Sequence, residues 1–141
     1  MAASFTTGTL NANGLQDEHK KRIPLFFWLK SKKTNVIFLQ ETHCSSFEQG
    51  EAWSREWGSK NDSLWSTCSS NSKGVAVLFN FECDFEIKNE CIDPEGRYIY
   101  FDLIINDEEF RLVNIYAPNN STQRINFFKI CLNGLMYLIG I

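Results

Sequence analysis

A short apolar run that ends abruptly in polar residues constrains this chain more than any other feature of its sequence. Val36–Leu39 is uninterrupted apolar sequence, and Gln40, Glu41, Thr42 and His43 follow it directly. A run of this length is typical of a buried strand. A carboxylate at the end of a buried strand is unfavourable unless a cation or a hydrogen-bond donor compensates it. The segment therefore predicts a strand that carries polar groups to one edge of a sheet.

The remaining sequence alternates between strand and helix patterns and then becomes a run of strands. The patterns predict strands over 5–10, 35–40, 75–79, 83–91, 98–105 and 110–116, and helices over 16–33, 46–58 and 121–135. Residues 59–73 are polar and predict a loop, and residues 1–4 predict a disordered start. Asn106-Asp107 predicts a hairpin between the last two strands. This order indicates an α/β domain whose sheet is largely antiparallel on one side.

Composition and charge limit the class of protein. The chain has 141 residues, enough for one domain, and 43% of them are hydrophobic. Its net charge of −3 argues against a broad phosphate-binding surface. The cysteines have no CxxC spacing, so neither a zinc site nor a disulfide framework is predicted; they are Cys44, Cys68, Cys83, Cys91 and Cys131. The N-terminus has no signal-peptide pattern. We therefore expect an intracellular protein, nuclear or cytoplasmic and not secreted, that makes no contact with a membrane.

Polar clusters follow three of the predicted strands. Asn11 to Gly14 follow the first strand, Gln40 to His43 the second, and Asn114 to Asn119 close the last. Each cluster alone has an ordinary structural explanation, because Asn-Gly is a common turn and a proline often ends an edge strand. A residue such as Glu41, taken alone, is more often a solvated strand end than a ligand of Mg²⁺, a cation that prefers one or two carboxylates with water. The residues taken singly leave both explanations open.

The order of five motifs resembles a known family. LNANGL (10–15), FLQETH (38–43), GVAVLF (74–79), EGRYIY (95–100) and VNIYAPN (113–119) follow one another along the chain. This series resembles the endonuclease domain of LINE-type non-LTR retrotransposons. That domain belongs to the endonuclease/exonuclease/phosphatase superfamily, which includes the AP endonucleases and exonuclease III. The resemblance implies a four-layer α/β sandwich of this type and Mg²⁺- or Mn²⁺-dependent cleavage of phosphodiester bonds in DNA. Full-length relatives nick DNA and leave a 3′-hydroxyl.

The resemblance also implies roles for individual residues. It makes Glu41 the metal-binding carboxylate, Asn11 the residue that orients the catalytic groups, and Tyr116 a catalytic residue close to the scissile phosphate. It makes Asn13 and Asn119 phosphate-binding residues. Asn13 stands where many AP endonucleases have Asp, so it favours the retrotransposon branch. The partner implied is DNA, and no small-molecule cofactor is implied.

Other parts of the family's motif set are absent from this sequence. The family uses an Asp in Gly-Asp-Phe-Asn as its base, a later Asp, and a final Ser-Asp-His. Here no Asp follows Asp107 and no His follows His43. We therefore expect residues 5–141 to be an N-terminal portion of the domain, roughly its first half. Metal binding is expected to be weak, and nuclease activity of the isolated chain little or none, because such catalytic groups act as a unit.

A half domain is also expected to expose apolar surface. We expect the inward face of the first sheet, including Val75, Val77, Phe79 and Ile115, to be partly uncovered for want of a second sheet, and so to aggregate or bind a partner. Two alternative functions stay open. One is a non-catalytic remnant or partner-binding fragment, which the missing Asp and His residues support. The other is a phosphoesterase acting on lipid or inositol phosphates, against which QETH and Asn13 argue.

Overall fold

The computed structural model describes residues 4–68, 73–127 and 129 as two packed sheets with helices on one side. The strands are β1 (Thr7–Asn11), β2 (Val36–Gln40), β3 (Ser63–Ser66), β4 (Val75–Phe79), β5 (Glu86–Ile92), β6 (Tyr98–Ile105) and β7 (Glu108–Ile115). The helices are α1 (Ile23–Ser31), which continues a π-helical turn over Glu18–Arg22, and α2 (Phe47–Trp57), which is followed by a 3₁₀ turn over Lys60–Asp62. Residues 121–127 are also helical.

The strands form one mixed and one antiparallel sheet. The four-stranded sheet has the order β1-β2-β4-β3, and the three-stranded sheet has the order β5-β6-β7. β1 and β2 are parallel and are joined through α1, while all other pairs are antiparallel. Asn11 pairs with Gln40 at the carboxyl ends of β1 and β2. The polar residues that follow these two strands therefore emerge at the same edge of the sheet.

Two apolar cores hold the layers together. Between the helices and the four-stranded sheet lie large rings, among them Phe26 of α1 and Trp57 of α2, whose centroids are 5.6 Å apart. Between the two sheets lie alternate residues of β4 and β6, such as Val77 and Phe101. Ser46 caps the N-terminus of α2, because its side chain accepts a hydrogen bond from the Gln49 N–H in the first turn. The predicted α/β class with two packed sheets is confirmed.

The expectation of an uncovered sheet face was wrong. Val75 and Val77 are fully buried and Phe79 is 3% exposed, and Ile115 is half-buried. The three-stranded sheet of the same chain covers this face, because the inward residues of β6 pack on it. The chain thus supplies both sheets of its sandwich.

Two segments differ markedly from the prediction, and the bounds of several other elements differ by one to three residues. The segment predicted as a loop over 59–73 contains β3, a strand made of SLWS and too polar to be recognised by its pattern. The helix predicted over 16–33 is shorter and begins with the π-helical turn, so Pro24 falls in the first turn of α1, where proline is tolerated. Of the helix predicted over 121–135, residues 130–135 lie outside the described residues, as do residues 1–3 of the predicted disordered start.

The state of the cysteines and the length of the helices complete the description of the fold. No disulfide joins Cys44, Cys68, Cys83 and Cys91, and Cys131 lies outside the described residues. No helix within the described part of the chain is long and apolar enough to cross a bilayer.

Candidate active site

The candidate site lies where β1, β2 and β7 end. Asn11 is the last residue of β1, Glu41 follows β2, and Tyr116 follows β7. β1 and β2 belong to one sheet and β7 to the other, so the site lies at the rim of the sandwich and draws on both sheets.

A direct hydrogen bond joins the two sheets at this rim. The Tyr116 hydroxyl donates to Oε1 of Glu41 at 2.8 Å. Both residues are half-buried. The second oxygen of Glu41, Oε2, accepts no hydrogen bond from the described residues, so it is the oxygen available to a ligand. The sequence prediction that these two residues lie at one site is consistent with this contact.

The environment of Tyr116 keeps its hydroxyl protonated. Partial burial raises the pKa of this hydroxyl, and the hydrogen bond to Glu41 and the negative charge of Glu41 raise it further. The Arg97 guanidinium, 5.6 Å from the Tyr116 ring centroid, and a hydrogen bond with the Asn119 side chain act in the opposite direction. The net effect is a raised pKa. Tyr116 is therefore a hydrogen-bond donor at neutral pH.

Glu41 itself has an unusual backbone conformation. Its φ is 51°, and Asn13 (50°) and His43 (60°) are also in the left-handed region. For a residue with a Cβ this conformation costs about 1–2 kcal/mol. Backbone hydrogen bonds hold the segment in place, because the Gly14 N–H donates to the Glu41 carbonyl at 2.7 Å and the Thr42 N–H donates to a neighbouring loop. Such strain persists where the surrounding structure enforces it, often at functional sites.

Gly74 is the residue that makes room for this loop. The Thr42 N–H donates to the Gly74 carbonyl at 3.0 Å. Gly74 has a φ of 103°, and a Cβ there would stand 2.5 Å from the Thr42 hydroxyl. The close approach and the positive φ both require glycine.

Asn114 fixes the end of β7 against β2 and β4. Its side-chain nitrogen donates to the Leu39 carbonyl at 2.9 Å and to the Ala76 carbonyl at 2.8 Å. Its oxygen accepts from Gln40 Nε2 at 2.9 Å. Asn114 is 2% exposed, so these contacts are made away from water. They set the position of Tyr116 relative to Glu41.

Gln40 and Asn114 have no role that follows from the sequence alone, although they stand in the FLQETH and VNIYAPN motifs. The signal that marks them is a polar residue inside an otherwise apolar strand segment. In a core such a residue requires hydrogen-bond partners, and here each is a partner of the other.

The three asparagines predicted at the site lie at different distances from the Glu41–Tyr116 pair. The Asn119 side chain lies near enough to Tyr116 to lower the pKa of its hydroxyl. Asn11 is exposed, and its side-chain oxygen accepts from the Asn13 N–H at 2.9 Å. Asn13 is also exposed. No hydrogen bond between the described residues joins either of these two side chains to Glu41 or Tyr116.

The residues at the rim fit a weakly held divalent cation. Within residues 4–68, 73–127 and 129, no group of three His, Cys, Asp or Glu side chains is arranged to hold a metal. Mg²⁺ does not need such a cage, since it commonly binds through one or two carboxylates and keeps several waters. Glu41 offers one carboxylate with a free oxygen. One carboxylate of this kind is a donor that Mg²⁺ or Mn²⁺ can use together with water.

Comparison with solved structures identifies the fold. The AP endonuclease LMAP from Leishmania major superposes with a TM-score of 0.59 at 15% identity, over 86% of this chain and 42% of that one. The chain has the fold of part of an AP endonuclease. The catalytic domain of Xenopus laevis APE2 superposes with a TM-score of 0.56 at 18% identity, over 88% of this chain and 50% of that one.

Comparison by sequence gives a transposon-encoded relative. The transposon TX1 uncharacterized 149 kDa protein of Xenopus laevis is 29% identical over 129 residues, which is 89% of this chain and 9% of that protein. No protein-family model matches the chain. The chain thus spans half or less of each solved relative and a small part of the transposon protein. The resemblance to a LINE-type endonuclease domain, stated from the sequence, is confirmed by these matches.

Proposed function

We propose that this chain carries the metal-binding part of the active site of a Mg²⁺-dependent DNA endonuclease. The reaction is hydrolysis of a phosphodiester bond that nicks one strand and leaves a 3′-hydroxyl. The observation that carries the proposal is the contact between Tyr116 and Glu41, which places a carboxylate with a free oxygen beside a protonated hydroxyl at the sheet rim.

Each residue at the rim has a distinct task. Glu41 holds Mg²⁺ or Mn²⁺ through Oε2, and the bound cation offsets the negative charge that develops on the phosphate. Tyr116 donates its single hydroxyl proton to Oε1 and so holds the Glu41 carboxylate from the side of the site that the other sheet supplies. Asn119, Asn11 and Asn13 offer amide donors for the non-bridging oxygens of the phosphate.

The same residues do not supply a general base. The sequence has no Asp after Asp107 and no His after His43. The chain by itself therefore binds metal weakly and hydrolyses DNA slowly or not at all, as removal of groups that act as a unit predicts.

Nicking of supercoiled plasmid tests the chemical part of the proposal. We expect no nicking by the purified chain in Mg²⁺ above the level in EDTA. Mg²⁺-dependent nicking that disappears in Glu41→Ala would refute the proposed inactivity and support the site. Nicking that persists in Glu41→Ala would contradict the site itself.

Calorimetric titration with Mn²⁺ tests the metal-binding part without activity. We expect one weak site that is lost in Glu41→Gln. Glu48→Gln is the matched control, because Glu48 is an exposed carboxylate in the first turn of α2, outside the rim. Equal reduction of binding in the two variants would show that the measured binding is non-specific.

A further inference from the structure

Basic residues are concentrated in one segment of a chain that is acidic as a whole. The net charge is −3, yet residues 19–40 contain no Asp or Glu and six basic residues, which are Lys20, Lys21, Arg22, Lys30, Lys32 and Lys33. Arg22 is buried and forms an ion pair with Glu56 at 2.6 Å, so its charge is neutralised within the chain. The last three lysines are exposed around the end of α1. The surface formed by Lys30, Lys32 and Lys33 therefore carries positive charge that attracts anions.

Helix α1 is apolar on both faces. Phe26 and Leu29 are buried against the four-stranded sheet. On the outside, Phe27 is 80% exposed, Trp28 51% and Ile23 40%. A helix that is apolar all round is normally covered on both sides, and an exposed apolar patch commonly marks an interaction site.

Two cavities open beside Lys32, and the smaller of them is also bordered by the exposed Trp28 ring. The larger, of about 570 Å³, is lined by Lys30, Lys32 and Lys33, and Glu82 is a carboxylate on the same wall. The smaller, of about 150 Å³, lies between α1 and the edge of β1 and has Trp28 and Lys32 in its wall. Lys32 lines both cavities, so the groove that carries the three lysines lies next to the cavity that Trp28 borders.

The lysines are held beside aromatic rings. The Lys32 ammonium lies 4.8 Å from the Trp28 ring centroid, and the Lys30 ammonium lies 4.6 Å from that of Trp57. Cation–π attraction favours both placements. A phosphate bound at Lys32 would therefore lie next to an exposed aromatic surface.

We propose that this surface binds single-stranded nucleic acid. The phosphates lie along Lys30, Lys32 and Lys33, and unpaired bases stack on Phe27 and Trp28. Proteins that bind single strands without sequence preference combine these two elements, a basic groove and exposed rings. The same charges attract an anionic membrane, but here the lysines line a recessed groove, which suits the phosphates of a strand better than a flat layer of headgroups.

This surface is separate from the candidate active site. Lys32 and Lys33 precede β2, whereas Glu41 follows it, so the two regions lie at opposite ends of the same strand. The proposal goes beyond the proposed nuclease function and needs no metal. Binding is therefore measured in EDTA, so that a failure of the metal site leaves this result unaffected.

Fluorescence anisotropy with labelled oligothymidine of about 15 nucleotides tests the proposal. We expect the affinity of the double variant Lys32→Gln/Lys33→Gln to fall by about ten-fold at low salt. We expect the slope of log K against log salt to become shallower by about 0.7 for each phosphate that the variant no longer neutralises. Phe27→Ala is expected to weaken binding by about five-fold or more. These side chains are exposed, so the folded state is retained.

Matched substitutions elsewhere on the surface are the controls. Phe47→Ala removes a ring that is 72% exposed on α2, and Lys60→Gln/Lys88→Gln removes two exposed lysines outside α1. We expect both to bind as the parent chain does. Equally weakened binding in the control variants would overturn the proposal. So would failure of the parent chain to bind the oligonucleotide, whether or not it binds vesicles of phosphatidylserine and phosphatidylcholine. Equally tight binding of duplex DNA with no effect of Phe27→Ala would overturn the stacking on unpaired bases.

Discussion

Asn114 joins the two sheets through hydrogen bonds beside the candidate site, and Asn114→Ala tests how much these bonds stabilise the fold. The side chain makes hydrogen bonds of 2.9, 2.8 and 2.9 Å to Leu39, Ala76 and Gln40, and it is 2% exposed. Each such bond contributes about 1 kcal/mol net, and the two carbonyls would be left without this donor in a dry environment. Gln40 keeps a second partner, because its Nε2 also donates to the Thr9 hydroxyl at 3.0 Å. We expect the free energy of unfolding to fall by about 3 kcal/mol.

Equilibrium unfolding in urea measures this change. The midpoint should fall while the denaturant slope m stays unchanged, since the surface exposed on unfolding is the same. Asn61→Ala is the control, because Asn61 is exposed and its replacement should change stability by less than about 0.5 kcal/mol. Asn114→Asp keeps the shape of the side chain but cannot donate when ionised, so it should destabilise at least as much as alanine. A decrease below about 0.5 kcal/mol in both Asn114 variants would refute the reasoning.

Three further predictions concern single residues. Tyr116 should titrate above its ordinary pKa of 10.0 when it is followed by tyrosinate absorbance, and a pKa of 10.0 or less would contradict the contacts described. Because the pKa is higher in the folded state, the stability that this hydroxyl contributes is present below the unfolded-state pKa and is lost as pH rises through the folded-state pKa. Cys44, whose burial raises its pKa to about 12, should resist a thiol reagent at about pH 8 while the exposed Cys83 reacts, as mass spectrometry of digested protein would show. Gly74→Ala should lower the free energy of unfolding by about 2–3 kcal/mol in urea, since its φ is 103° and the new Cβ would stand 2.5 Å from the Thr42 hydroxyl; a neutral effect would contradict the strained loop.

The sequence was informative about the fold where side-chain periodicity is strong. Val75 to Phe79 read as a buried strand and form β4. β6 alternates, with Ile99, Phe101, Leu103 and Ile105 on its inward face, and this pattern already indicated a second sheet able to cover the first. The expectation of an uncovered face neglected that signal. β3 was missed for another reason: its SLWS sequence forms a strand through pairing with β4 rather than through its own propensity.

The candidate site was predictable in its residue types and not in its geometry. Polar residues at strand ends pointed to the rim that Glu41 and Tyr116 share. The left-handed backbone of Glu41 depends on the Gly74 loop, which is distant in sequence. The hydrogen bond between Gln40 and Asn114 depends on the packing of the two sheets. A polar residue in an apolar strand can be recognised locally, but the distant residue that it contacts cannot.

Paramagnetic broadening of backbone amide NMR signals by Mn²⁺ tests the central claim most directly, because it locates a bound cation without requiring activity. The account predicts that low Mn²⁺ broadens signals around Glu41, Gly14 and Tyr116 first, and that Glu41→Gln removes this effect. Broadening centred on the acidic residues of the β4–β5 connection or of the β6–β7 turn, unchanged by Glu41→Gln, would contradict it.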